Sequence, residues 1–528
     1  MPETISSHDL NTAMRGTAEI ALLDVREIVA YGTGHLFAAA SMPASRLELE
    51  VERSIPRKTT PIVVTDADGS ISARAAMVLA AHGYTSVCVH EGGAQAWSAA
   101  GLSLFPELDV PSKGFGAFAR RYGQPDFIDP AQLQSELADG NNILVLDARP
   151  RSEYHAGNIP GSIAAPAGDL VRCFDDLVST RDTRVVVNCM SATRGILGAL
   201  SLVAAGVPNP IQVLHHGTRG WLLAGFDLER GAERVAHPPS EPALRAAVAR
   251  ASRLLQAANV AVIDSATLRT WRADASRSTY SIDVRTAEEF ATAHICGARS
   301  AAESEIVMSP LHYVPTLRAR VVLTDDDTVR ASVAALWLAQ MGLWEVAVLR
   351  NGLVDMALIS GDEDCIVQSP PTATAMTVTR LRQLQRQGAA RIVDVGTSDE
   401  YARAHIPGAR WCSRAEISAY LSNATFASTT VLTSSDGAMA SLAGHDCGDA
   451  AYVLVGGNIA WQHAGNELTT QTSEFVTARV DHWLASSERA GDQRRNVMSY
   501  LAWENLLLDD INAGSWTPYT NLIWGAQA

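Results

Sequence analysis

The stretch ILVLDAR, residues 143–149, is a short apolar run that ends in an aspartate, and three variants of it occur elsewhere in the chain. The other copies are ALLDVR (21–26), YSIDVR (280–285) and RIVDVG (391–396). Their aspartates, Asp24, Asp147, Asp283 and Asp394, lie 123, 136 and 111 residues apart. Each interval has the length of a full domain, so the repeat predicts four tandem domains rather than a solenoid of short units.

The same order of features follows each of these runs. A segment with an aromatic residue, usually followed by a glycine turn, comes next: YGTGHLFAAA (31–40), YHAGNIPGS (154–162), FATAHICGAR (290–299) and YARAHIPGAR (401–410). A second apolar strand, a polar loop and an alanine-rich helix come after it, the strands being PIVVT (61–65), RVVVN (184–188), RVVLT (320–324) and TVLT (430–433). Strands that alternate with helices predict an α/β fold in which each unit has a small central parallel sheet flanked by helices.

Composition shifts divide the chain into units and connections. We place the units at residues 1–112, 125–232, 258–362 and 374–470, followed by a Trp-rich extension at 471–528. The predicted connections are GFGAFARRYGQP (114–125), a Pro-rich coil that continues as a helix (237–256), and SPPTATAM (369–376). The extension carries Trp483, Trp503, Trp516 and Trp524. We expect these side chains to pack on the protein's own domains or on a second subunit, which would allow a homodimer, rather than to bind a ligand.

Composition also narrows the functional classes. The formal net charge of −15 over 528 residues disfavours nucleic acid and anionic membrane surfaces as partners. We predict no signal peptide and no membrane span, and therefore a cytoplasmic protein. The seven cysteines are scattered and contain no Cys-x-x-Cys pair. We therefore expect reduced thiols, with no metal and no organic cofactor.

These motifs together resemble the rhodanese superfamily. The resemblance rests on the strand–Asp–x–Arg element, the aromatic–xxx–His–Ile–Pro–Gly element and the closing turn, seen as EGGAQAW (91–97) and VGGNIAW (455–461), and covers about residues 5–470. The overall plan is similar to bacterial four-module proteins of the thiosulfate sulfurtransferase type. It implies four rhodanese-like domains of α/β fold.

One loop carries the chemistry that the resemblance implies. In NCMSATR (188–194), four residues separate Cys189 from Arg194, as in the six-residue loop of active rhodanese domains. The resemblance implies that Cys189 is the catalytic nucleophile and that Arg194 binds substrate, together with the loop residues Met190, Ser191, Ala192 and Thr193. Ala192 and Gly195 replace the commoner glycine and serine, which leaves the substrate preference open.

The other three units lack this cysteine. Aligning LAAHGY (79–84), LVAAGV (202–207) and LAQMGL (338–343) places Asp66 and Asp325 at the position of Cys189, and Ser434 falls there in the fourth unit. A carboxylate or alcohol cannot accept sulfur as a thiolate does, so we predict that these units are inactive. Aspartate and serine are favourable helix N-caps, and we expect that role for them.

The predicted position of Cys189 suits sulfur chemistry. A helix predicted over 196–206 would direct N–H groups and its dipole at the sulfur, which lowers the pKa of a cysteine. Arg194 offers a planar donor fork to an oxyanion such as the sulfonate end of thiosulfate. Covalent catalysis through a persulfide follows as the expected mechanism.

Other candidate residues receive secondary roles. We expect Asp147, Arg149, His294 and His405 to be structural, because their motifs recur in units that lack the cysteine. His215 and His216 lie next to the closing turn of the second unit, and one hypothesis is that they face the site. A further hypothesis is that Arg172 and Cys173 approach the loop, with Cys173 as a resolving thiol.

Three functions remain open at this point. The first is an enzyme that moves sulfane sulfur from thiosulfate or a similar small molecule to cyanide or a thiol. The second is a persulfide carrier or interaction scaffold that receives sulfur from a partner protein. The third is a phosphatase or arsenate reductase activity, which the loop disfavours because phosphatases need five residues between cysteine and arginine.

Overall fold

The computed structural model describes residues 2–354, 356–361, 374–422, 428–470, 474–514, 517–520 and 523. In these ranges the chain forms four α/β modules, each with a parallel sheet flanked by helices, which confirms the predicted fold class. No helix among the described residues is long and apolar enough to cross a membrane.

Module 1 has the sheet order β1-β5-β4-β2-β3, and all of its own strands are parallel. Its elements are β1 (Glu3–Ile5), α1 (Ser7–Arg15), β2 (Ile20–Asp24), α2 (Ile28–Thr33), β3 (Ala40–Ser41), α3 (Leu47–Ser54), β4 (Ile62–Thr65), α4 (Ser72–Ala81), β5 (Val87–His90) and α5 (Gly93–Ala99), with α6 (Val110–Gly123) leading to the next module.

Module 2 repeats this arrangement with the order β6-β10-β9-β7-β8. Its elements are β6 (Phe127–Ile128), α7 (Pro130–Ala138), β7 (Ile143–Asp147), α8 (Arg151–Ala156), β8 (Ile163–Ala164), α9 (Gly168–Arg172), α10 (Phe174–Leu177), β9 (Arg184–Asn188), α11 (Thr193–Ala204), β10 (Ile211–Leu214) and α12 (Gly217–Leu223), with α13 (Glu241–Ala257) after it. Helix α13 confirms the helix predicted at the end of the 237–256 connection.

Module 3 has the order β11-β17-β16-β12-β14. Its elements are β11 (Ala261–Ile263), α14 (Ser265–Ala273), β12 (Thr279–Asp283), α15 (Ala287–Thr292), β13 (His294–Ile295), β14 (Arg299–Ser300), α16 (Glu303–Met308), α17 (Pro310–Tyr313), β15 (Thr316–Leu317), β16 (Arg320–Thr324), α18 (Val329–Met341), β17 (Glu345–Leu349) and β18 (Leu358–Ile359). Strand β15 pairs antiparallel with β2, so module 3 adds a strand to the sheet of module 1.

Module 4 and the C-terminal extension share the order β19-β23-β22-β20-β21-β24. The elements are β19 (Thr374–Met376), α19 (Val378–Arg386), β20 (Ala390–Asp394), α20 (Ser398–Arg403), β21 (Arg410–Trp411), a 3₁₀ turn (Arg414–Glu416), α21 (Ile417–Ser422), β22 (Thr429–Thr433), α22 (Ala438–Cys447), a second 3₁₀ turn (Gly448–Ala450), β23 (Tyr452–Leu454), α23 (Gly457–His463), β24 (Glu474–Phe475) and α24 (Gln493–Ala513).

The modules differ in how their cores are joined. Side chains of modules 1, 2 and 3 form one continuous hydrophobic cluster, which also includes Leu507, Leu508 and Ile511 of α24. Module 4 instead has two clusters of its own. The first three modules are therefore held together by shared apolar burial, which stabilises an assembly in proportion to the area removed from water.

The segment 114–125, predicted to be a linker, is largely helical. Helix α6 contains Phe115, which is fully buried, and its glycines allow close contact. A Cβ at Gly114 would lie 2.3 Å from the Ile511 side chain, and one at Gly116 would lie 2.4 Å from the Thr193 hydroxyl. The Gly-rich composition that suggests a flexible linker therefore serves tight helix packing instead.

The described part of the C-terminal extension packs on the protein's own modules, as expected. Trp483 lies against Gly32 of module 1, and Trp503 packs against the hydrophobic cluster that modules 1, 2 and 3 share. Asp492 caps α24 by accepting a hydrogen bond from the Arg495 N–H at 3.1 Å. Trp516 and Trp524 lie outside the described residues.

The Asp-x-Arg element is a buried ion pair at the end of a central strand. In module 2, Arg149 donates to both carboxylate oxygens of Asp147, at 2.9 and 2.7 Å, and also to the Gly157 carbonyl at 2.7 Å. Modules 1 and 3 repeat the pair as Arg26–Asp24 and Arg285–Asp283. These contacts support the structural role expected for Asp147 and Arg149.

Replacing Arg149 with Ala is expected to destabilise module 2 by about 3–5 kcal/mol, because the fully buried Asp147 would lose its partner. Hydrogen exchange of peptides from β7 measures this loss as faster exchange. The exposed neighbour Arg151 supplies the matched control, since Arg151→Ala should change stability by less than about 0.5 kcal/mol. Equal effects of the two substitutions would contradict the structural role.

Candidate active site

Each module presents one residue at the same place, directly after its second long strand. These residues are Asp66 after β4, Cys189 after β9, Asp325 after β16 and Ser434 after β22. The backbone carbonyl of each faces a glycine of the closing turn, in chain order Gly93, Gly217, Gly352 and Gly457. A Cβ on any of these glycines would lie 2.0–2.5 Å from that oxygen, and all four have φ between +54° and +57°. The four positions are therefore structurally equivalent, as the sequence alignment predicted.

In the modules without cysteine, the equivalent side chain accepts hydrogen bonds from the following loop and helix. Asp66 accepts from the N–H of Ser72 at 3.0 Å, and Asp325 accepts from Ala331 at 3.1 Å. The Ser434 hydroxyl accepts from the N–H of Ala440 at 3.2 Å.

As predicted, these side chains accept hydrogen bonds from N–H groups at the start of the following helix. The prediction that they occupy the N-cap position itself is wrong. The residues directly before these helices are Ile71, Thr328 and Gly437, five or three residues further along the chain. The acidic and hydroxyl side chains reach the helix from the strand end across the loop.

Cys189 shares one backbone donor with these residues, the N–H group six positions further along the chain, which belongs to Gly195. The backbone N–H groups of Ser191 and Gly195, the latter in the first turn of α11, lower the pKa of its thiol. Helix α11 begins at Thr193 and ends at Ala204, so it starts three residues earlier than the predicted 196–206. The sulfur is consequently held at a helix N-terminus, where negative charge is stabilised.

Burial nevertheless raises the pKa of the Cys189 thiol. The residue is 3% exposed, and desolvation of a thiolate outweighs the opposing effects of Arg194 and of the N–H groups of Gly195 and Ser191. The expectation of a lowered pKa is therefore wrong, because the sequence does not show how completely the rest of the chain covers this sulfur.

The guanidinium of Arg194 is held by an acid of the same module. It donates to both carboxylate oxygens of Glu153, at 2.7 and 2.9 Å. Arg330 and Glu289 form the same bidentate pair in module 3, at 2.9 and 3.1 Å, although that module has no cysteine. This pair uses two of the five N–H donors of Arg194, which lies beside the sulfur and contributes its charge there, so the role of Arg194 in substrate binding stays a prediction.

Cys189 lines a cavity of about 210 Å³ together with residues from several other segments of the chain. Lys113 comes from α6 and donates from Nζ to the Leu108 carbonyl at 2.7 Å. Arg219 comes from α12, with its guanidinium 4.3 Å from the centre of the Tyr500 ring. Glu504 of α24 accepts a hydrogen bond from the Ser191 hydroxyl at 3.4 Å. Sequence reasoning missed these residues because they belong to a connection, a closing turn and the extension.

The loop residues divide between two cavities. Met190, Ser191, Thr193 and Arg194 line the cavity of Cys189. Ala192 lies instead on a neighbouring cavity of about 400 Å³, between α6, α11 and α24. The prediction that Ala192 contacts substrate at the sulfur is therefore not supported by this geometry.

The remaining candidates are not among the described residues that line the cavity of Cys189. His215 and His216 stack on each other with centroids 4.0 Å apart, and neither belongs to the described lining of the Cys189 cavity. Arg172 pairs with Asp327 of module 3 at 2.6 Å. Cys173 is buried in the shared core, and burial raises its pKa to about 12, which makes it a poor resolving thiol. This geometry therefore does not support the hypotheses that placed these four residues at the site.

His294 and His405 have the structural roles predicted for them. The His294 ring stacks on Phe290 and the His405 ring on Tyr401, with centroids 3.6 and 4.1 Å apart. Nδ1 of each ring is hydrogen-bonded to the carbonyl of the same aromatic residue. Both histidines close the turn that follows the first central strand of their module.

An acidic group in module 3 has the ligand types of a cation site. Oxygens of Asp325, Asp326 and Asp327 lie within 4.8 Å of one another. Each carboxylate is already engaged, Asp325 by backbone N–H groups, Asp326 by Arg330 and Asp327 by Arg172. These contacts explain why the three carboxylates lie close together, and no ion is needed to explain it.

Comparison with known proteins agrees with this geometry. The rhodanese-like domain family matches the chain four times, over residues 7–100, 129–224, 268–357 and 377–464. The chain belongs to the rhodanese family.

A crystal structure of thiosulfate sulfurtransferase from Pseudomonas aeruginosa is similar to this rhodanese-family chain over almost its whole length. The two are 35% identical with a TM-score of 0.93, covering 98% of this chain and 99% of the other. A curated relative, the HTH-type transcriptional regulator Rv0324 of Mycobacterium tuberculosis, is 33% identical over 111 residues, which are 21% of this chain. The match spans about half, 48%, of that relative's length.

The raised pKa of Cys189 predicts a pH dependence. Because the thiolate is the reactive form and its fraction rises about tenfold per pH unit below the pKa, alkylation of Cys189 by iodoacetamide should accelerate by roughly tenfold for each unit from about pH 7 to pH 9, without levelling off. Peptide mass spectrometry measures this rate, with the exposed Cys296 of the same molecule as an internal reference that should react faster at neutral pH. A Cys189 rate that is already constant above neutral pH would contradict the raised pKa.

Proposed function

We propose that the chain is a sulfurtransferase that moves sulfane sulfur from thiosulfate, or a similar small anionic donor, to a thiophilic acceptor through a persulfide on Cys189. The observation that carries the proposal is the thiol at one of four equivalent strand ends, held by backbone N–H groups inside a cavity that Lys113 and Arg219 line. The 35% identity to a thiosulfate sulfurtransferase over the full chain also supports it.

The first half-reaction loads the sulfur. The Cys189 thiolate attacks the outer sulfur of thiosulfate, the bond between the two thiosulfate sulfurs breaks, and sulfite leaves with the electron pair. In the second half-reaction, the acceptor attacks the outer persulfide sulfur and releases the Cys189 thiolate. The N–H groups of Ser191 and Gly195 stabilise negative charge at the sulfur in both steps.

Lys113 and Arg219 are suited to bind the oxyanion end of the donor. Lys113 is one of only two lysines in the sequence, and its ammonium group lies 5.5 Å from the Tyr500 ring centroid. Arg219 is 8% exposed and lies over the same ring. Charge–charge attraction is strong in such a desolvated setting, so these cations offset the cost of bringing a dianion beside a buried thiolate.

The alternative of a persulfide carrier fits this geometry less well. Trp483, Tyr500 and Glu504 of the extension cover Cys189 together with α6. A protein donor would have to displace these side chains before its own persulfide could reach the sulfur. A small donor needs only the cavity itself.

Substituting Cys189 with Ser should abolish sulfur transfer, because a hydroxyl cannot form the persulfide. In the unsubstituted protein, incubation with thiosulfate should add roughly 32 Da, one sulfur atom, to the Cys189 peptide alone. Cys296→Ser removes an exposed thiol and serves as the matched control with unchanged transfer. Activity that survives Cys189→Ser would refute the proposal.

Replacing Lys113 with Met should raise the KM for thiosulfate by about tenfold, the loss of one charge-assisted contact of about 1.4 kcal/mol. Steady-state kinetics with the full chain measures the change. The only other lysine, Lys58, pairs with Glu52 in module 1, so Lys58→Met should leave KM unchanged. Equal KM values for the two variants would exclude Lys113 from donor binding.

A further inference from the structure

A second and larger cavity adjoins the cavity of Cys189. It has a volume of about 530 Å³, within the range of pockets for small organic ligands. Module 1 contributes Ile28, Tyr31 and Ser41 to its wall, and module 3 contributes the segment from Ser304 to Tyr313. This cavity, which we call the outer chamber, does not contain Cys189 itself.

The two cavities meet along a shared wall. Leu108, Asp109, Arg194 and Met308 line both of them. Methionine is unbranched and flexible, so the Met308 side chain is able to move aside without a change in the backbone. The shared wall therefore places the outer chamber directly beside the cavity of Cys189.

The backbone at this wall is held in an unfavourable conformation. Glu107 and Asp109 have φ values of +71° and +57°, a region that residues other than glycine rarely adopt. Arg489 of the extension holds Glu107 by a bidentate pair, with both contacts at 2.7 Å. The side chain of Asp109 is hydrogen-bonded to Ser309. Strain that the surroundings maintain is common where side chains must be oriented for function.

The chemistry of the outer chamber differs from that of the Cys189 cavity. Its wall is apolar and aromatic at Ile28, Tyr31 and Leu311, and it offers acceptor oxygens at Asp109 and Glu305. Among the described residues of its lining, the charge of Arg194 is balanced by the bidentate pair with Glu153, and Asp109 and Glu305 add further acidic side chains. Such a site favours an organic molecule with N–H donors over a small anion.

We propose that the outer chamber binds the sulfur acceptor, and that this acceptor is a low-molecular-weight organic thiol carrying ammonium or amide groups. This inference rests on the proposed function and deepens it. The acceptor thiolate attacks the outer sulfur of the Cys189 persulfide, a new S–S bond forms on the acceptor, and the bond to Sγ breaks. The proton lost by the acceptor thiol balances the one that the released Cys189 thiolate takes up.

The proposal assigns a role to two modules that lack a cysteine. Module 1 and module 3 would supply most of the acceptor-binding wall, while module 2 supplies the sulfur. The shared hydrophobic core holds these walls in a fixed relation to Cys189. Donor and acceptor would then approach the same sulfur from different cavities.

The test uses the full chain and a variant that fills the outer chamber from module 1, Ser41→Phe. Cys189 is first loaded with thiosulfate, and the loss of the 32 Da adduct is then followed by mass spectrometry with either cyanide or cysteinylglycine amide as the acceptor. Ser41→Phe should slow discharge to cysteinylglycine amide by at least about tenfold, because the acceptor is displaced from its productive position. Discharge to cyanide should change by less than about twofold, since cyanide needs no chamber. Ser98→Phe, at an exposed site of the same module, is the matched control with no change.

A measurement on the unsubstituted protein keeps the test decisive if the variant does not fold. S-methyl-cysteinylglycine amide, which has no free thiol, should inhibit discharge to cysteinylglycine amide and leave loading by thiosulfate unaffected. The outer chamber would be overturned as the acceptor site if this analogue inhibited loading to the same degree, or if it inhibited neither step. Equal effects of Ser41→Phe on discharge to the two acceptors would also overturn it. Failure to form any adduct on Cys189 would instead refute the proposed function.

Discussion

The N–H groups at the start of the helix that follows each central strand need an acceptor, and this requirement organises all four modules. The acceptor is a carboxylate in modules 1 and 3, a hydroxyl in module 4 and a thiol in module 2. Unpaired buried N–H groups are costly, so a module that lacks the cysteine retains its fold only if another acceptor takes its place. The helix-start N–H groups that stabilise a carboxylate in modules 1 and 3 are available in module 2 to stabilise a thiolate and a persulfide.

The position of Cys189 balances two opposing effects. Helix α6 and helix α24 cover the sulfur, which excludes water and strengthens every electrostatic interaction near it. The same burial disfavours the thiolate and raises its pKa. Arg194 and the N–H groups of Gly195 and Ser191 oppose this cost without offsetting it, and Lys113 and Arg219 add positive charge to the wall of the cavity. A site of this kind depends on segments outside the catalytic module as much as on the loop itself.

The association of modules 1, 2 and 3 follows from how they bury apolar surface. They share one core, module 3 adds β15 to the sheet of module 1 through its pairing with β2, and α24 packs on that core. Module 4 keeps separate cores and receives β24 from the extension. The extension thus connects module 4 to the cover of the active site, because β24 and α24 belong to the same segment.

The sequence by itself determined the four α/β units, the equivalence of Asp66, Cys189, Asp325 and Ser434, and the structural role of the Asp-x-Arg pairs, since all of these depend on local patterns that repeat. Only the tertiary structure decided the pKa direction of Cys189, the pairing of Arg194 with Glu153 and the presence of Lys113, Arg219 and Glu504 at the sulfur. Local patterns predict which residues follow a strand or begin a helix. Burial and charge at a site depend on residues that are hundreds of positions apart in the chain. No repeated pattern in the sequence indicates which connection or extension covers which module.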